Sequence, residues 1–430
     1  MTLRSTFTPC FMLVVLTLGL LRGSAAGEVD ALRKMAAEKR QAIIRFQFQD
    51  KDKQGGIDGP YGFFVSGDGT ALCDLTAFAE KQKPTAIETF NGRKLAFPVI
   101  LGIFPDSLIA LVKFKYQPKV WIDVARTVPA MGTKVAVLDY GSDVPAAIGP
   151  LLSRESLVTS EYRQNRFCTY LSIGSAIRLR GTSTSGAAGG VPVIDGAGAA
   201  VGLFVGATHS DRQVIPICLP LDELPPWIEK TLKAGTTLPF PLPDAAVPFD
   251  PVGSNPEYVD MADAFYRNDL LAARRHLKNL KAAHPQSSCL RNMEFEMAGR
   301  TGETDRLLDL AAALKPAPGA PQAECFDYYC KLGLARCMTG DVDGAFAAAE
   351  EVIRISPENC SAGRELLGML FATKGRNEEA AKWFLAASAI SPEKIPILQR
   401  LEKILGNLKK WEEQEKVTNQ IFRLEQLYSR

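Results

Sequence analysis

The sequence predicts a multidomain protein in which an all-β domain is followed by an all-α one. Composition changes sharply near residue 236. Before that point short β-rich runs alternate with Gly, Pro and Asp turns; after it Ala, Leu, Glu, Lys and Arg recur at helical spacing. Between the two regimes, residues 236–253 (TTLPFPLPDAAVPFDPVG) carry five prolines and read as an extended, Pro-rich linker. With 430 residues and 46% hydrophobic composition, each side is long enough to bury its own core.

The first element is a targeting signal. Arg4, the apolar run Phe11 to Leu21 and the small residues Ser24, Ala25 and Ala26 read as a secretory signal peptide over residues 1–26. The expected location is therefore exported, periplasmic or secreted. Later stretches fall short of the roughly 20 apolar residues of a membrane helix, so no integral membrane segment is expected. Removing residues 1–26 takes away Arg4 and Arg22 and leaves 48 basic against 48 acidic side chains. A balanced chain without basic runs gives no electrostatic reason to expect nucleic acid.

Eight cysteines follow the signal: Cys73, Cys168, Cys218, Cys289, Cys325, Cys330, Cys337 and Cys360. Export permits disulfides, but a chain of this size needs no staples, and the reading adopted is buried apolar packing for most of them. Cys325, Cys330 and Cys337 lack the close pairs and nearby histidines of a zinc site, so no metal and no cofactor are expected.

The β domain, residues 27–235, opens with a short helix-like lead and a strand at Ala42 to Phe48. Gly62 to Val65, the Ser-Gly-Asp-Gly turn at 66–69 and Ala71 to Cys73 read as a hairpin. Further strand candidates are Ala86 to Phe90, Phe97 to Leu101, Ile109 to Phe114, Lys134 to Leu138, Ala176 to Leu179, Val191 to Ile194, Ala199 to Val205 and Val214 to Ile217. Many short strands separated by turn chemistry predict a barrel or sandwich.

Three segments stand out: GFFVSGDGTALCDLTAF at 62–78, NGRKLAFPVILGIFPDSLIALVKF at 91–114 and TSGAAGGVPVIDGAGAAVGLFVG at 184–206. In their order and motifs they resemble the trypsin-like serine peptidases, in particular their HtrA-like branch. The resemblance implies a trypsin-like double β-barrel. It places the catalytic histidine, aspartate and serine positions at Thr76, Leu108 and Ala188, so the triad is absent, and it leaves Gly186, Gly189 and Gly190 as a vestigial oxyanion loop. Val191, an extra residue before Pro192, departs from the family pattern.

The chemistry agrees with that loss. A serine hydroxyl needs a base to take its proton, and the chain's three histidines are His209, His276 and His284. Ser183, Ser185, Asp106 and His209 are the residues from which an unconventional site could be rebuilt. For each the bland reading is stronger; His209 is expected in a solvated hairpin tip and Asp106 in a turn.

The α domain, residues 254–430, repeats itself. Ile355-Ser356-Pro357-Glu358 recurs as Ile390-Ser391-Pro392-Glu393, and the same 35-residue offset relates Leu332-Gly333 to Leu367-Gly368, Gly340 to Gly375 and Ala345 to Ala380. An earlier copy runs from Tyr258 to Pro285. This spacing resembles tetratricopeptide (TPR) repeats and implies an all-α TPR solenoid of four to five helix pairs, the last acting as an amphipathic cap.

Taken together these readings predict an exported, non-catalytic pseudopeptidase acting as a protein- or peptide-binding scaffold through its TPR array, with its vestigial barrel cleft as a second candidate surface. The alternative is a serine-type endopeptidase with an unconventional catalytic site. A purely architectural role in an exported assembly is the third reading.

Overall fold

The computed structural model of the chain describes residues 27–49, 56–79, 84–104, 108–140, 145, 147–159, 166–174, 190–210, 213–243, 250, 252, 255–355, 361–391 and 394–428. A helix over residues 27–39 (α1) presents Leu32, Met35 and Ala36 on one face, the spacing of a single amphipathic stripe, and buries it against the β region.

Six antiparallel strands follow: β1 (Ile43–Gln49), β2 (Gly56–Phe64), β3 (Thr70–Asp74), β4 (Ala86–Thr89), β5 (Val99–Ile103) and β6 (Ile109–Lys113), in the sheet order β4-β1-β2-β3-β6-β5. A second set comprises β7 (Lys134–Val137), β8 (Ala147–Thr159), β9 (Arg166–Ile173), β10 (Val191–Ile194), β11 (Ala200–Ser210) and β12 (Gln213–Pro220), closed into a barrel of order β10-β11-β12-β9-β8-β7. Counted from its own first strand, each unit runs 1-2-3-6-5 with strand 4 beside strand 1. The two units are topological copies.

The two copies differ in closure. In the second unit strand 5 also pairs with strand 4, whereas the first is a six-stranded sheet with β4 and β5 at its ends. The supposed linker lies against that sheet. In Leu238-Pro-Phe240-Pro-Leu242 the apolar residues fall at every second position, the period of an extended chain. The Leu238 N–H donates to Ile100 O on β5 at 2.8 Å and the Leu242 N–H to Phe78 O at 2.8 Å. Phe240 stacks on Phe97 with centroids 4.9 Å apart, and Leu242 is only 1% exposed. Within the expected linker, residues 238–242 are thus extended and form a strap over the first unit. Farther on, Asp250 Oδ2 accepts from the Ser287 hydroxyl at 2.6 Å, fixing the other end to the helices.

Helix α2 (Leu224–Ala234) starts on Pro225 and Pro226 and stops at Gly235, whose φ of 62° is left-handed. It returns to the first unit, where Trp227 meets the edge of Phe104 at 5.4 Å.

The pleat of the first unit faces two cores. Ile44, Phe46, Phe64, Ala71, Cys73, Ala110 and Val112 fill the inside of the sheet. Their neighbours Ile43, Phe63, Leu72, Ile109 and Leu111 point the other way, into a core shared with the second barrel. This explains why β3 is buried at all five residues instead of alternating with solvent.

The helical half contains α3 (Pro256–Tyr266), α4 (Leu270–Ala283), α5 (Ser288–Thr301), α6 (Thr304–Ala313), α7 (Gln322–Met338), α8 (Val342–Ile355), α9 (Ser361–Thr373), α10 (Asn377–Ile390), α11 (Lys394–Asn407) and α12 (Trp411–Tyr428). They fall into five pairs with one turn chemistry. A residue with positive φ ends the first helix of each pair: Asn268, Gly302, Gly340, Gly375 and Lys409. At every one of these turns the same two hydrogen bonds recur, as in Gly340 N–H to Cys337 O and Asp341 N–H to Arg336 O, the Schellman pattern of a helix C-terminus. Five residues after the first four turns stand Ala273, Leu307, Ala345 and Ala380, all fully buried where the second helix packs back.

The repeat's other signature glycines are steric. A Cβ at Gly333 would come within 2.8 Å of Leu366, and one at Gly368 within 2.7 Å of the Phe384 ring. One contact ties the array to the second barrel: Lys394 at the start of α11 donates to Leu152 O on β8 at 3.0 Å, and Leu152 packs against the core around Phe384 and Leu398.

Candidate functional site

Asp74 ends β3, and its side chain starts the 3-10 turn Leu75–Phe78. Its Oδ1 accepts from the Thr76 N–H at 2.8 Å and from the Thr76 hydroxyl at 2.6 Å. The short Asp-x-Thr spacing produces this locally, because the Asp74 side chain can take both the backbone N–H and the hydroxyl of the residue two ahead at the sheet-to-turn junction. Asp74 is only 6% exposed. Burial pushes its carboxyl up to about 6, against the two hydrogen bonds from Thr76, which pull the other way.

Leu108 is brought to the same place through the backbone: its carbonyl accepts from the Leu75 N–H at 2.7 Å, and Ile109 pairs with Asp74 in the β3–β6 ladder. Its half-buried side chain touches both β cores, so a leucine here packs apolar surface where an aspartate would need polar partners.

Gly190 arrives from the second unit. Its φ is 94° and its N–H donates to Phe204 O at 2.9 Å. A Cβ at this position would lie 2.0 Å from Tyr61 O and 3.1 Å from Asp74 Cβ, so only glycine lets the chain pass this close to the Tyr61 carbonyl beside Asp74. The structure thus draws together the surroundings of Thr76 and Leu108 and the end of the glycine loop. Ala188, Gly186 and Gly189, with Ser183, Ser185 and Asp106, lie outside the described residues, as does the strand expected at Ala176 to Leu179.

The histidines occupy other places. His209 lies within β11, with its backbone opposite Val214 in the β11–β12 hairpin, and so stands just before the hairpin tip where the sequence reading put it. His276 Nδ1 lies 3.4 Å from Glu257 Oε1 between α4 and α3, and the His284 N–H closes the end of α4 on Leu280 O.

Two buried thiols in the β region, Cys73 and Cys218, are poor nucleophiles. Burial, then the adjacent Asp74 charge, pushes the Cys73 thiol up, and burial alone pushes Cys218 up to about 12. Among the described residues no group of three or more His, Cys, Asp or Glu side chains is placed to hold a metal, and no helix is long and apolar enough to cross a membrane. The sequence reading missed Asp74 as a feature of this place; the signal available was its Asp-x-Thr spacing ahead of the frame's Thr76.

No family model matches the chain, and no curated protein matches it. Solved structures do. The active form of the Rv3671c protease from M. tuberculosis is similar at 15% identity and a TM-score of 0.37, over 48% of this chain and 85% of that one. Its inactive form gives 16% identity and a TM-score of 0.35, over 46% and 92%. The Ser343Ala mutant of the same protease gives 16% and 0.34, over 46% and 90%. Likeness of this degree says nothing about what the present chain binds or cleaves.

Proposed function

We propose that this protein is a non-catalytic relative of the trypsin-like peptidases, exported, and built to bind a protein or peptide partner through its TPR-like helix array. One observation carries the non-catalytic reading: at the position where the family frame holds its base stands Thr76, whose hydroxyl donates to a buried carboxylate. A threonine hydroxyl cannot take a proton from a serine at neutral pH, and the earliest histidine in the sequence is His209. The topological duplication of the two β units supports the double-barrel frame on which that position is counted.

The binding reading is supported by five helix pairs with one turn motif, since stacked pairs share a continuous core and leave extended faces for partners. The test is cleavage of unfolded casein and a fluorogenic peptide library by the purified protein, together with a serine-reactive fluorophosphonate probe. Neither turnover nor labelling is expected. Labelling or turnover that disappears on Ser185→Ala or His209→Ala would overturn the proposal in favour of an endopeptidase with an unconventional site.

A further inference from the structure

A cavity of about 350 Å³ opens between α4, α5 and α6. Its floor is apolar, made by Leu277 of α4 and Met297 of α5, both nearly buried. Its walls carry four cations, Arg274, Lys278 and Lys281 from α4 and Arg306 from α6, against one lining carboxylate, Glu294 of α5.

The charges form a ladder. Glu294 pairs with Lys281 and, at 2.6 Å, with Arg306; Arg306 also reaches Glu303 at 2.9 Å, and Glu303 pairs in turn with Arg274. Three cations are thus shared by two carboxylates, and Lys278, exposed at the rim, adds a fourth. Around the cavity this leaves an excess of two positive charges in a chain with 50 basic and 48 acidic residues. A ladder that only braced helices would not need that excess. A volume of this size is at the lower end of what ligand sites use, and an apolar base with convergent charges is their usual make-up.

We propose that this cavity binds an acidic peptide segment of a partner protein. A ligand carboxylate sits among the α4 cations, where charge-assisted hydrogen bonds from arginine and lysine are strongest. The proposal rests on reading the array as a binding module, and names the chemistry of one of its sites.

The experiment is calorimetric titration of the full-length protein with a terminally blocked peptide of alternating glutamate and leucine, its glutamine counterpart, and free succinate, at low and high salt. Saturable binding of the glutamate peptide is expected, weakened by salt, and weakened about tenfold or more in Lys278→Glu, an exposed position whose change leaves the helix packing intact. Equal binding of the glutamine peptide, or unchanged affinity in Lys278→Glu, overturns the proposal. Succinate binding as tightly as the peptide overturns it too, in favour of a small-dicarboxylate site. Absence of peptide binding sinks this site alone, whereas turnover or labelling in the peptidase assay sinks the non-catalytic reading and leaves this site standing.

Discussion

Asp74 shows how one residue decides the character of the β cleft. A carboxylate held away from water, with a single threonine as donor, is a liability at neutral pH, and its pKa of about 6 against an ordinary 3.8 gives the sign. The native state binds the proton more tightly than the unfolded chain does. The favourable state is fully present below pH ~4, and stability falls as pH rises through about 6, by up to about 3 kcal/mol. Asp74→Asn keeps an acceptor for the Thr76 N–H and hydroxyl while removing the charge. Urea midpoints should therefore match the parent near pH 3 and exceed it at pH 8. Parallel pH profiles for the two proteins would show that Asp74 does not titrate in this range.

At the scale of elements, the five helix turns form a natural series in backbone strain. Three use glycine, but Asn268 and Lys409 hold the left-handed conformation with side chains, at φ of 62° and 58°. Asparagine tolerates it because its short polar side chain bonds locally, whereas lysine has no such compensation. Lys409→Gly should stabilise the C-terminal pair by roughly 0.5–1 kcal/mol. The reverse experiment, Gly375→Ala, meets no neighbour within 4 Å yet should cost about 1 kcal/mol from φ alone. Thermal unfolding of the two variants checks both signs, and a stabilising Gly375→Ala would refute the strain account.

At the scale of the molecule, the β region and the helices meet where α7 and α10 lie against β8 and β9. The Leu152 side chain enters the core around Phe384 and Leu398, and its carbonyl takes the Lys394 ammonium. If this contact couples the halves, Leu152→Ala should leave helix and strand content intact but split thermal unfolding into separate transitions, because the apolar side chain that joins the β region to the core around Phe384 is removed. Coincident melting of the variant by far-UV circular dichroism and by tryptophan fluorescence would mean the halves are coupled elsewhere. The strap at 238–242 binds the molecule in the same sense, since the segment leading to the helices also covers the first sheet.

The sequence by itself determined the two-class architecture, the repeat of the helical half and the lack of any histidine before His209. These are matters of period, composition and residue identity, which local chemistry dictates: Gly340 and Gly375 announced their turns because so few residues accept positive φ. Only the tertiary structure decided the rest. Strands β8 and β9 were missed because Gly149, Pro150 and a charged run disguise a ladder that partner strands stabilise. The five prolines of 236–253 read as a free linker, since nothing local shows that every second residue has a sheet to cover. Asp74 looked like one polar residue among many until Gly190 was folded over it, because burial is a property of the assembled chain and not of the residue.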